Sequence, residues 1–259
     1  MFHNIFIFKL KQNKYLKMSV EKAHTREEYI YLSKLYEKAQ RYEDMVSSIN
    51  DYIELDPKLS KEERNILSAG YKNILYDKRE NWRFLSNMER KELKKKSKQV
   101  IYIQEIKKHI EAEIKKITEN VFNLIDKYLL PNSIDTESKV FYMRLKADHY
   151  RYLCEISKEK DFLDKAEQIY KEGYDLALKE LPHINNERIG LALNLALFYY
   201  EIKGDKKEGY QIAKNCFEET MKYLEEFDKI KSKDSLMLIQ LLKENLIFWS
   251  NEMNEDEQN

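Results

Sequence analysis

The chain predicts an all-α fold of about nine helices packed as antiparallel neighbours. Three observations carry this. Five glycines and three prolines are all that punctuate 259 residues, so breakers are scarce and connections must be short. Apolar residues recur at helical spacing between those breaks. No fixed repeat of ~34 residues is present, which sets a single array apart from a solenoid.

The elements follow in order. Thr25 is a candidate N-cap for a first helix to Gln40, with Glu27 and Glu28 in the first turn, where the helix dipole favours them. A second begins at Tyr42 and stops before Asp56-Pro57. Ser60 and Glu63 form the ends of a capping box that opens a third, long helix to about Lys96. The fourth spans Gln99 to Leu129 and ends before Pro131. Asp135-Thr136-Glu137-Ser138 opens a fifth, through Ser157. The sixth covers Phe162 to Glu180, before Pro182. The seventh runs from Asn186 to Lys203, closed by Gly204 at the position that favours a left-handed residue. The eighth spans Lys206 to Phe227 and the ninth Lys233 to about Asn251. Residues 27–251 are thus expected as one domain, with a flexible N-terminal extension at 1–26 and an acidic, disordered tail at 252–259.

Composition narrows the functional classes. The chain is 42% hydrophobic and 36% charged with zero formal net charge, so bulk charge steers it toward neither nucleic acid nor acidic substrate. Cys154 and Cys216 belong to no CxxC pair, and no Cys/His cluster has zinc spacing; no metal or cofactor is expected. Two lone thiols suit a reducing cytosol, and a cytoplasmic location is expected. No apolar run approaches the ~18 residues of a membrane span, and the apolar start Met1–Phe8 lacks a cleavage site. Glycine-rich phosphate loops, nucleophile elbows and metal-ligand clusters are absent from the sequence, so no catalysis is expected.

Two segments point to an anion. At about 100° per residue, Lys72, Arg79 and Arg83 fall within roughly 40° of one another on the third helix. Arg144 and Arg151 lie two turns apart on one face of the fifth, with Tyr152 beside them and Asp148 placed to steady an arginine. Guanidinium groups grip phosphate oxygens two at a time, and a tyrosine hydroxyl adds a neutral donor. A solvated helix face is the competing reading of such a stripe. The run Arg90–Lys98 is also basic, and it suits a helix C-terminus or the contact surface of a phosphate-independent scaffold.

Five ordered blocks resemble the 14-3-3 phosphopeptide-binding adaptors. They are Glu62–Ser68 leading into Tyr71-Lys72-Asn73; Trp82-Arg83; Glu137–Tyr142 leading into Asp148–Leu153; Gly190–Asn194 leading into Phe198–Glu201; and Lys233-Asp234-Ser235 leading into Gln240–Leu246 and Trp249. The resemblance implies nine antiparallel helices forming a concave groove that clamps phosphoserine or phosphothreonine proteins. It puts phosphate binding on Lys72, Arg79, Arg83, Arg151 and Tyr152. Peptide contacts fall on Arg144, Leu193, Asn194, Leu197, Glu201, Leu238, Leu241, Asn245 and Trp249.

It further implies a homodimer, with Glu28, Leu35, Ala39, Arg41 and Asp44 in the contact. Leu35 and Ala39 share a face four residues apart, and Arg41 and Asp44 supply opposite charges that a two-fold axis would duplicate. Several positions depart from the pattern: Asn81 replaces a serine, Ala147 and His149 replace a glycine and a tyrosine, and Ile106 stands in place of a tyrosine. The near-neutral charge also departs from a usually acidic family.

Overall fold

The computed structural model describes residues 23, 25–157, 159–227 and 233–258. Among the described residues are nine helices and no strand: α1 Arg26–Lys38, α2 Tyr42–Leu55, α3 Lys61–Lys94, α4 Val100–Leu124, α5 Thr136–Ile156, α6 Lys160–Glu180, α7 Asn186–Leu197, α8 Lys206–Phe227 and α9 Lys233–Gln258. Two continue directly into π-helical segments, α4 into Ile125–Leu129 and α7 into Phe198–Lys203. The fold is all-α, as the sequence predicts.

Local chemistry explains the starts. The Glu28 amide donates to the Thr25 hydroxyl, and the Thr25 amide donates back to the Glu28 carboxylate. Ser60 and Glu63 close the same reciprocal box at α3. Asp135 and Ser138 do so at α5. Each box satisfies two amides that have no partner inside the helix. Glu63 is buried and also accepts from Arg26 Nε at 2.8 Å, so the start of α3 is tied to α1.

Glycine decides two places. Gly204 has φ +73°, the left-handed conformation that ends the π-segment. At Gly209 on α8 an added Cβ would lie 2.7 Å from the Ala196 carbonyl oxygen, so only glycine lets α8 approach α7 this closely.

Two apolar clusters form the interior. One gathers side chains from α1 to α5, including Ile49, Ile53, Leu67, Tyr71, Ile125 and Tyr142. The other gathers α5 to α9, including Val140, Tyr170, Leu191, Phe198 and Leu242. α5 serves both, and a small third cluster of Leu75, Ile114, Leu153 and Ile156 sits beside it. α3 touches α5, α5 touches α7, and α7 touches α9. These four helices form the row on which the functional residues fall.

The two ends differ from expectation. α9 does not stop near Asn251; it runs to Gln258 through the stretch expected to be disordered. Glu252 accepts from Tyr200 and Lys206, both at 2.8 Å, and Met253 packs on the second cluster, so this turn has partners in the fold. At the other end, Ala23 is buried against the first cluster and Arg26 pairs with Glu63. Folded structure therefore begins inside the stretch expected as an extension, whose residues 1–22 and 24 lie outside the described residues. Among the described residues no helix is long and apolar enough to cross a membrane.

Candidate anion-binding groove

Lys72, Arg79 and Arg83 lie along one face of α3, and Arg144, Asp148, Arg151, Tyr152 and Glu155 along one face of α5. The structure joins the two faces. Glu155 accepts from Arg79 Nε at 2.6 Å and from Arg83 Nε. The Arg79 guanidinium carbon lies 3.9 Å from the Tyr152 ring centroid and that of Arg151 4.9 Å, so one ring holds two cations by its π face. Four of the five expected phosphate residues are thus brought together. Lys72 is exposed two turns before Arg79 and has no ion pair among the described residues.

Behind them lies a buried polar hub at Asp148. Tyr170 and Asn194 both donate to its carboxylate, Asn194 at 2.9 Å to each oxygen. Arg151 donates from Nε to the Tyr170 hydroxyl at 3.2 Å and stands 3.7 Å from Asp148. Burial disfavours the Arg151 charge, but Tyr170 and Asp148 outweigh it and hold the group protonated. Burial also pushes the Tyr152 hydroxyl up, with Asp148 adding to it, so Tyr152 stays a neutral donor.

Arg144, expected as a peptide contact, is tied to Glu187 at the start of α7 by two contacts of 2.7 and 3.2 Å. Its charge is matched within the fold.

His149 sits beneath this cluster. Its Nδ1 donates to the Leu145 carbonyl at 2.7 Å, its Nε2 has no partner among the described residues, and Tyr71 and Tyr152 flank the ring. Burial holds its pKa down to about 4, so it is neutral at pH 7.

The α7–α9 end is apolar, and here the sequence expectations divide. Leu197, Leu238 and Asn245 are half-buried, and Leu241 and Glu201 are exposed. Leu193 is a core residue. Trp249 is 2% exposed and stacks on Tyr200 with centroids 4.3 Å apart. Its ring is part of the second core cluster, where the expectation placed a peptide contact. Asn194 already spends its amide nitrogen on Asp148, leaving its carbonyl oxygen.

Sequence reasoning missed Glu155, which follows Arg151 by four residues and so shares its face. It also missed Met237 and Phe248, which fall within about 40° of each other around Leu241 on the helical wheel. Both are exposed, Phe248 at 64%.

The expected dimer residues lie on α1 and at the start of α2. Leu35 and Ala39 are exposed. Glu28 serves the Thr25 capping box, and Arg41 and Asp44 pair with each other at 2.5 Å within the chain. Tyr31 on α1, Phe84 on α3, and Tyr102 and Ile106 on α4 add exposed apolar surface. Among the described residues no group of His, Cys, Asp or Glu is arranged to hold a metal ion.

Fold and site together define an all-helical array with a braced guanidinium cluster on its α3–α5 face and an apolar wall on α7 and α9. The family model described as 14-3-3 protein matches residues 32–250. The chain is 40% identical over 237 residues to 14-3-3 protein 2 of Entamoeba histolytica, covering 90% of this chain and 99% of that one. It is 39% identical over 234 residues to the checkpoint signal transducer rad25 of Schizosaccharomyces pombe (89% and 87%) and 37% identical over 235 to human 14-3-3 protein beta/alpha (90% and 95%). The chain belongs to the 14-3-3 family.

Proposed function

We propose that this chain is a phosphoserine/phosphothreonine-dependent adaptor that clamps phosphorylated client proteins and has no catalysis of its own. The carrying observation is that Arg79, Arg83 and Arg151 converge around Tyr152 and Glu155 from two helices. A phosphate brings about −1.5 to −2 charge at neutral pH, which suits several guanidinium groups held in register. Leu197, Leu238, Leu241, Met237 and Phe248 offer apolar area to flanking side chains, and Asn245 and the free oxygen of Asn194 offer polar contacts to an extended backbone.

The working form is a cytoplasmic homodimer. The exposed apolar residues of α1, α3 and α4 support this, because a second copy would cover them. Light scattering at micromolar concentration should give about twice the chain mass of 31.4 kDa. Calorimetry of a phosphopeptide against its unphosphorylated twin tests the adaptor reading. Binding confined to the phosphorylated peptide is expected. Equal affinities would overturn it in favour of a phosphate-independent scaffold.

A further inference from the structure

We propose that Glu155 is a specificity-determining counter-anion, which lowers the net charge of the cation cluster and so disfavours polyanions relative to a single phosphate. This rests on the phosphate reading above. Glu155 is the carboxylate between the two helices, and it takes the Nε edges of both Arg79 and Arg83. Those contacts leave the Arg79 terminal amino groups without a hydrogen bond among the described residues, so a ligand can take them with Glu155 in place.

The local charge is readily counted. Arg79, Arg83 and Arg151 are three converging cations; Asp148 and Glu155 are two carboxylates, which leaves about +1, less than the charge of one phosphate. Arg144 and Glu187 cancel as a pair. Glu80 touches Arg83 and Lys72 stands two turns before Arg79, both exposed, where solvent screens them. Without Glu155 the cluster carries about +2. Glu155 is mostly buried beside Arg79, so its repulsion of an incoming anion is little screened and grows with the ligand's charge. Its removal favours every anion, and the most highly charged ones most.

The test is Glu155→Gln, which keeps shape and removes charge. Titrations use a phosphopeptide, its twin with glutamate at the phosphosite, pyrophosphate and tripolyphosphate, at fixed ionic strength. We expect phosphopeptide affinity to rise by about threefold to tenfold, the glutamate twin by less, and the two inorganic polyanions by progressively more. The free variant should unfold at a lower temperature, because Arg79 and Arg83 lose their shared partner. Glu155→Asp, which keeps the charge, should preserve the wild-type ligand order and serves as the second variant if Glu155→Gln does not fold. In that event, a wild-type protein that binds pyrophosphate or tripolyphosphate as tightly as the phosphopeptide overturns the inference. So does unchanged or weakened phosphopeptide binding in folded Glu155→Gln, or gains independent of ligand charge. A wild-type protein that ignores the phosphopeptide overturns the adaptor reading itself, which separates the two failures.

Discussion

The cation cluster between α3 and α5 and the apolar wall on α7 and α9 are built in different ways. In the cluster each guanidinium is braced: Arg79 by Glu155 and Tyr152, Arg151 by Tyr170 and Asp148, Arg144 by Glu187. On the wall, Met237, Leu241 and Phe248 stand exposed along one helix face. Bracing fixes geometry before a ligand arrives, so less side-chain freedom is lost on binding. An exposed apolar face holds no fixed geometry and gains from whatever apolar area covers it. One end therefore suits a single charged group, the other a range of side chains.

The largest effects fall where bracing is deepest. Arg151→Ala and Arg79→Ala should each cost phosphopeptide binding about 2–5 kcal/mol, because each removes a mostly buried charge-assisted contact. Arg83, with 43% of its side chain exposed against 15% for the other two, should cost only about 1 kcal/mol. Isothermal titration checks the order; equal losses at all three would erase the distinction between buried and exposed cations.

Acid probes the same region through His149. Its folded pKa, about 4, lies below the ordinary 6.5, so the fold favours the neutral ring. The associated stability is complete above pH 6.5 and is lost as pH falls toward 4, on the order of 3 kcal/mol. Urea unfolding at pH 7 and pH 4 should show that loss in the wild type and a smaller one in His149→Phe. An identical pH dependence in both would place the acid sensitivity outside His149; Glu167, whose folded pKa is held down to about 2, loses its contribution mainly below pH 4 and would not account for it.

The wall should respond more gently. Phe248→Ala should weaken a phosphopeptide with a large apolar flanking residue by about 1 kcal/mol, through lost apolar contact. It should leave a peptide with glycine there unaffected, and equal losses for both would remove Phe248 from the contact surface. Smallest of all, Lys94→Ala at the remote end of α3 should change affinity by less than about 0.5 kcal/mol.

Much of this was legible in the sequence because punctuation is local. Thr25, Ser60, Asp135 and Gly204 mark the helix ends where they were expected, since a cap or a left-handed residue acts on its own turn. The π-segments were not legible, because five or six residues are too few to separate their period from the ordinary helical one. Glu155 was missed for another reason: its role depends on α3 lying against α5, which no spacing within α5 reveals. Trp249 shows the limit of a helical wheel. It falls between Asn245, half-buried, and Leu242, in the core, and only Tyr200 stacking on it decides which way it goes. The acidic composition after Asn251 masked Glu252, whose partners Tyr200 and Lys206 lie far away in sequence.

That last contact links two segments in time as well as space. Tyr200 belongs to the π-segment that follows α7, stacks on Trp249, and donates to Glu252 one turn further along α9. Fraying of α9 from Gln258 backward must break this latch before it can pass Trp249. The amides of Phe198–Lys203 and those of the last turns of α9 then belong to one unit of local opening. In hydrogen exchange they would report a shared opening free energy, and removing the Glu252 carboxylate would quicken both together.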